Sequence, residues 1–262
     1  MKKFALVLGG GGAKGYAHIG VLKALERKGL KPDLIVGTSM GALVGGLYAC
    51  GKSIQELIKL SKKFNSLGNF SLVSTLFKES LLNPNKVKKI LNKAFGECMF
   101  EETEIPFIAV ATEINTGKEV HFKSGRVRDA VMASISIPGV FPRIKIGENY
   151  YCDGGLLNNL AEDVARIELP DACVVAVDVI GDYEKQVEKC KIKTLETILN
   201  ASTLMTQNVI KRRPQYSDIR LVVAQPHIGQ LDFKSEKANL AIKHGETVAK
   251  RHIKEIISLL ND

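Results

Sequence analysis

Residues 4–20 read FALVLGGGGAKGYAHIG and residues 34–50 read LIVGTSMGALVGGLYAC, and the pattern these two stretches share decides the fold. Each opens on an apolar run, passes through glycine and resumes with helical spacing. Phe4 to Leu8 reads as a buried strand. His18 to Lys28 follows as a helix with Ile19, Leu22 and Leu25 on one side, and Gly29 stops it. Leu34 to Val36 is the second strand, Gly41 to Ala49 the second helix, and Gly51 its terminator. Strand, helix, strand, helix in close succession predicts a parallel sheet with helices on both faces.

The rest of the chain continues in the same manner. Ile54 to Phe95 is helical in pattern, interrupted by SLGNFSLVSTLF. Strands resume at Phe107 to Thr112 and Glu119 to Phe122, with a turn at Asn115 to Gly117. Arg126 to Ser134 reads as a helix, and Pro138 and Pro142 impose an extended loop after it. Cys173 to Val179 is another buried strand. A charged stretch from Tyr183 to Lys193, a helix, a strand at Ile219 to Val223 and an amphipathic helix from Glu236 to Leu260 complete the chain. No repeat or linker divides it, so residues 1–262 are expected to form a single α/β domain, the last ~80 residues being a C-terminal extension packed on it.

Composition narrows the class. Hydrophobic residues at 45% and charged residues at 25% give the balance of a soluble globule. MKKFALVL imitates a secretory signal, but its apolar run ends at Leu8, short of a working signal core. Leu34 to Gly51 lacks charge, yet Thr38, Ser39 and five glycines argue against a membrane span. Five scattered cysteines (Cys50, Cys98, Cys152, Cys173, Cys190) show no C-x-x-C spacing, which argues against a disulfide framework or zinc site and for a reducing cytoplasm. The net charge of +9 is spread over lysines with no interleaved aromatic residues, so no nucleic-acid partner is expected, and contact with an anionic membrane is the more plausible use of the charge.

The glycines must next be given a task. Gly10-x-Gly12-x-x-Gly15 has the spacing of a dinucleotide-binding loop, but the second strand ends in Val36-Gly37-Thr38-Ser39 without the acidic residue that would hold a ribose. A phosphate loop fails as well, because Tyr16 follows Gly15 where Lys-Ser or Lys-Thr is needed. The second strand instead enters Gly37-Thr38-Ser39-Met40-Gly41, the spacing of an elbow that lifts a serine hydroxyl above the sheet. Loops after parallel strands share one edge, so the glycine run meets this serine there. Its amides then form an oxyanion hole, worth roughly 3–4 kcal/mol per donor. Lys14 adds positive charge to that loop or caps it in solvent. A serine nucleophile needs a base. Asp153, in YYCDGGLLNNL, is the acidic candidate, against its alternative as an ordinary turn aspartate in a D-G corner. His18, His121, His227, His244 and His252 are triad candidates without a motif around any of them.

GGGGAKG, GTSMG and DGG in this order resemble the patatin-like phospholipase family, and within it the small bacterial members. SISIPGVFPRIKI, ATEINTGKEVHF and LVVAQPHIGQLDF are similar to further segments of the family, so the likeness covers nearly the whole chain. Arg143, where a second proline is common, and Ala161-Glu162, where proline is frequent, are departures. The resemblance implies a three-layer α/β/α fold with a mostly parallel central sheet and a Ser39-Asp153 catalytic dyad. It implies an oxyanion hole from Gly10, Gly11 and Gly12 with Lys14 in the basic position, and neither metal nor cofactor. It also implies carboxylic-ester hydrolysis of an acyl-lipid substrate. Phe64, Leu67, Phe70, Leu72, Val73, Leu76 and Phe77 are candidates to line an acyl groove. Two alternatives stay open: a Ser-His-Asp triad esterase, with His227 the best-placed histidine, and a non-hydrolytic nucleotide-binding regulator.

Overall fold

In the computed structural model, which describes residues 2–64, 84–181, 193–225 and 227–261, the opening apolar run is β1 (Phe4–Leu8), buried along its whole length. It lies between β2 (Leu34–Thr38) and β7 (Cys173–Asp178), parallel to both, with Val7 opposite Val36 on one side and Ala176 on the other. β3 (Phe107–Glu113) continues the parallel sheet beyond β2, and β8 (Ile219–Val222) beyond β7. Alternation along β1 divides the interior into two layers. Phe4, Leu6 and Leu8 join the larger cluster with α1 (Ala17–Glu26), α2 (Met40–Ala49) and α8 (Ser235–Asn261), while Ala5 and Val7 face α6 (Glu162–Glu168). A strand covered on both faces has no polar side to show, which is why it reads as an unbroken apolar run. The three-layer α/β/α architecture expected from the sequence is the one observed.

The parallel pattern of the first two units does not reach the far end of the sheet. There β4 (Lys118–Phe122), β5 (Ile144–Ile146) and β6 (Asn149–Asp153) all pair antiparallel. β4 takes one edge of β3 over residues 109–113. Along the other edge β2 pairs residues 107–110, and β6 takes over at 111–113. The two strands therefore approach the same edge from opposite directions. Thr38 stands opposite Val110 and Asp153 opposite the next residue, Ala111. This end-on meeting brings the residue after β2, Ser39, beside the last residue of β6. Neither β5 nor β6 was expected as a strand. β5 is three residues long and follows a proline-rich loop, and β6 carries its signal only in Tyr150, Tyr151 and Cys152.

The helices α3 (Ile54–Phe64), α4 (Pro84–Phe95), α5 (Val127–Ser134) and α7 (Lys193–Arg212) complete the described α-helices. α8 crosses α1 at glycines on both helices: a Cβ on Gly20 would lie 1.9 Å from the Ile242 carbonyl oxygen, and one on Gly245 would lie 2.0 Å from that of Ala17. Any larger residue would drive the helices apart. Cys50, at the end of α2, pairs with Cys98, after α4, in a disulfide with Cα atoms 6.5 Å apart. This corrects the reading of unpaired cysteines. The partners are 48 residues apart in sequence, and no local spacing signals such a pair. Cys152 and Cys173 are free and buried, and Cys190 lies outside the described residues. So do Leu67 to Phe77 of the expected acyl groove and the side chain of Phe64. No described helix is long and apolar enough to cross a membrane.

Candidate active site

Ser39 is the residue on which β2 turns into α2. Its φ of 54° and ψ of −123° make it the one non-glycine residue with positive φ among those described. A side chain held there costs on the order of 1–3 kcal/mol and persists only where the surroundings enforce it. The surroundings here are steric. A Cβ on Gly37 would lie 2.6 Å from the Ala42 Cα, and one on Gly41 would lie 2.0 Å from the Leu8 carbonyl oxygen. Gly-x-Ser-x-Gly is thus required by the close passage of α2 over β1 and by the sharpness of the bend. The Ser39 amide donates to Ser134 Oγ at 2.8 Å, and that hydroxyl donates to the Val110 carbonyl at 2.6 Å, so α5 ties the elbow to β3. Ser39 Oγ sits at the positive end of α2, which favours negative charge developing on it.

Asp153 is 5% exposed. Its Oδ2 accepts from Ser39 Oγ at 2.6 Å and its Oδ1 from the Gly155 amide at 2.8 Å. Its backbone is held at both ends: its amide donates to the Ser136 carbonyl at 2.9 Å, and its carbonyl accepts from Thr112 Oγ1 at 3.0 Å. Burial pushes the carboxyl pKa up to about 6, and the hydrogen bonds from Ser39 and Gly155 oppose that rise only in part. A carboxylate with that pKa is a far better proton acceptor near neutrality than a free aspartate. Asp153 is the end of a paired strand, not the corner of an isolated hairpin.

The glycine loop meets this pair through a segment to which the sequence assigned no role. Asn159 grips Gly10 twice, its carbonyl accepting the Gly10 amide at 3.1 Å and its Nδ2 donating to the Gly10 carbonyl at 3.2 Å. The Gly10 N–H is therefore committed and does not face the serine as a free donor. Gly10 instead supplies closeness, since a Cβ there would lie 3.0 Å from the Ser39 Cβ. Gly11 and Gly12 line the cleft that also holds Ser39, Asp153, Leu156 and Gln230. As it stands the cleft encloses about 30 Å³, room for a water and not for a lipid. Lys14 is 3% exposed, so it is not a solvent cap, and its backbone accepts from Gln225 Nε2 at 3.0 Å.

No histidine bonds to Ser39 or Asp153 among the described residues. His18 is fully buried, with Nε2 2.7 Å from the Gly9 carbonyl oxygen, and burial pushes its pKa down to about 4. It is a neutral peg under the loop. His121 pairs with Glu119 at 2.7 Å and His252 with Glu255 at 3.0 Å. His244 is in α8, and the exposed His227 accepts from Lys237 through its carbonyl. Behind Asn159, the Asn158 side-chain Nδ2 donates to Glu119 at 2.8 Å and to Asp163 at 2.9 Å, and Arg213 bridges the same two carboxylates. Burial alone would raise the Glu119 pKa, but the bonds from His121, Asn158 and Arg213 outweigh it and bring it to about 2. The doubled asparagine after DGG was the available sequence signal for this support. No group of three His, Cys, Asp or Glu that could hold a metal occurs among the described residues.

Residues 6–166 match the family model described as Patatin-like phospholipase. Lysophospholipase nte1 of Emericella nidulans is 37% identical over 179 residues, covering 66% of this chain and 12% of that protein. An uncharacterized NTE family protein of Mycobacterium bovis is 37% identical over 159 residues, covering 60% of this chain and 44% of that protein. The chain thus spans less than half the length of these curated relatives. Among solved structures, VipD from Legionella pneumophila aligns with a TM-score of 0.53 at 13% identity, covering 97% of this chain and 67% of that one, which is a likeness of fold.

Proposed function

Because the chain belongs to the patatin-like phospholipase family, we propose that it is a serine lipid acyl hydrolase that cleaves carboxylic esters of fatty acids with a Ser39-Asp153 dyad. The observation that carries this reading is the buried 2.6 Å hydrogen bond from Ser39 Oγ to Asp153 Oδ2, made without an imidazole between them. Asp153 takes the hydroxyl proton as Ser39 Oγ bonds to the ester carbonyl carbon. The negative charge moves to the carbonyl oxygen, where the Gly11 and Gly12 amides and the α2 N-terminus stabilise it. Collapse of this intermediate breaks the bond to the alcohol, which leaves with the proton from Asp153. Water then attacks the acyl-serine and gives a proton to Asp153; collapse of this second intermediate breaks the bond to Ser39 Oγ, which recovers the proton from Asp153 as the fatty acid leaves. The narrow cleft requires the side chains around Leu156 and Pro138, which line its wall, to part for an acyl chain.

In the same reading residues 1–262 act as one hydrolase domain. The close crossing of α8 on α1 supports including the C-terminal ~80 residues as a packed extension. The charge of +9 supports peripheral contact with anionic lipid. A cytoplasmic location rested on cysteines read as unpaired, and the Cys50–Cys98 pair removes that support. Fluorophosphonate labelling tests the chemistry. One equivalent on Ser39, absent from Ser39→Ala, is expected, and no labelling of folded protein would refute a serine hydrolase and favour a nucleotide-binding regulator.

A further inference from the structure

A second cavity lies away from Ser39, a groove of about 500 Å³ between α3 and α4, within the size range of small-molecule sites. Its floor is apolar, built from Leu57, Leu60, Ile90 and Ala94, with Leu47 at its inner end. α3 and α4 sink Leu57, Val87 and Leu91 into the core, leaving Leu60, Ile90 and Ala94 half-buried along the gap between them. Among the described residues five lysines rise around this floor against one acid, Glu56, which pairs with Lys52 at 3.6 Å. Lys59 stands on the α3 side, and Lys89 and Lys93, one helical turn apart, on the α4 side; all three are exposed. Lysine stems extend such a floor while their ammonium groups stay at its rim.

We propose that this groove is a second binding site, separate from the Ser39 cleft, for a single-chain fatty-acid anion whose chain lies on the Leu60–Ile90 floor and whose carboxylate meets Lys59, Lys89 and Lys93. Charge complementarity selects an anionic head, and the apolar, concave floor selects one flexible chain. Among the described residues no aromatic side chain lines it, so these supply no stacking surface for a base. The two cavities share no lining residue among those described, and Leu47 is about 12 Å along α2 from Ser39. The groove's chemistry does not depend on Ser39, although its ligand is the kind of product that the proposed hydrolysis releases.

Binding of a fluorescent palmitate below its critical micelle concentration is the test, carried out on the full chain. Saturable one-to-one binding is expected, weakened about tenfold or more in the K59E/K89E/K93E triple variant and unchanged in Lys254→Glu, an exposed lysine of α8. Leu60→Asp should weaken it independently. Near-unchanged circular dichroism of the triple variant establishes that it folds. Prior modification of Ser39 with a fluorophosphonate should leave the binding intact; displacement of the palmitate by that modification would move the site to the Ser39 cleft and overturn the proposal. Binding insensitive to the three lysines and to Leu60 would also overturn it. So would lysine-dependent binding to phosphatidylglycerol vesicles with none to monomeric palmitate, which would make the surface a membrane contact. Activity lost with palmitate binding retained would count against the hydrolase reading alone.

Discussion

The two halves of the candidate site are held in place by different physics. The Ser39 elbow is a backbone construction: its left-handed φ is enforced by α2 passing within contact distance of β1 and is sealed by the Ser134 hydroxyl. The Asp153 corner is a solvation construction. Its backbone is ordinary strand, and its chemistry comes from removing a carboxyl group from water while granting it two hydrogen bonds. Strain positions the nucleophile, and burial makes the base. A change in shape therefore disables the first and a change in polarity the second.

The largest effect is expected from Ser39→Ala, which should lower ester hydrolysis by on the order of 10⁴-fold or more, read with a short-chain aryl ester. Asp153→Asn comes next, with about a 10³-fold loss in the same assay. It should also separate the halves of the site. The folded protein retains the Asp153 proton up to about pH 6, whereas a free aspartate releases it near 3.8, so between these values the folded state binds more protons. Stability from this group declines as pH rises through that window and stays low above it. Asp153→Asn should thus be more stable than the parent at pH 8, by on the order of 3 kcal/mol in denaturant unfolding, with little difference at pH 4. Equal or lower stability at pH 8 would mean that burial is not what sets the base.

Asn159→Ala tests the clamp that joins the loop to both halves. Loss of its Nδ2 bond to Gly10 should lower kcat roughly 10- to 100-fold with a smaller change in KM, because the Gly11 and Gly12 amides serve the charge that appears only in the transition state. A pure KM effect would place Asn159 in substrate binding instead. The smallest effect is expected from His227→Ala, whose hydrolysis should stay within about twofold of the parent, since the side chain is exposed and a displacement of that size is under 1 kcal/mol. Its inactivation without unfolding would restore the triad.

What the sequence revealed follows the same division. Strands buried on both faces announce themselves as apolar runs, and an elbow that tolerates only glycine beside its serine announces itself through Gly37 and Gly41. Both are local constraints. The state of the Gly10 amide was not legible, because its acceptor is the carbonyl of Asn159, 149 residues along the chain. The same holds for the Cys50–Cys98 pair and for the burial of Lys14. β6 escaped notice because a short strand at the end of a sheet needs little apolar patterning, even though its register against β3 is what delivers Asp153 to Ser39.

The most direct test of Asp153 as the base is the pH dependence of Ser39 phosphonylation by a fluorophosphonate, followed by stopped-time labelling in the parent and in Asp153→Asn. The parent rate should climb with pH through an apparent pKa near 6, the value that burial gives Asp153, and the variant should react slowly and without that inflection. An inflection near 6 that survives in Asp153→Asn would assign the proton to another group and contradict the dyad.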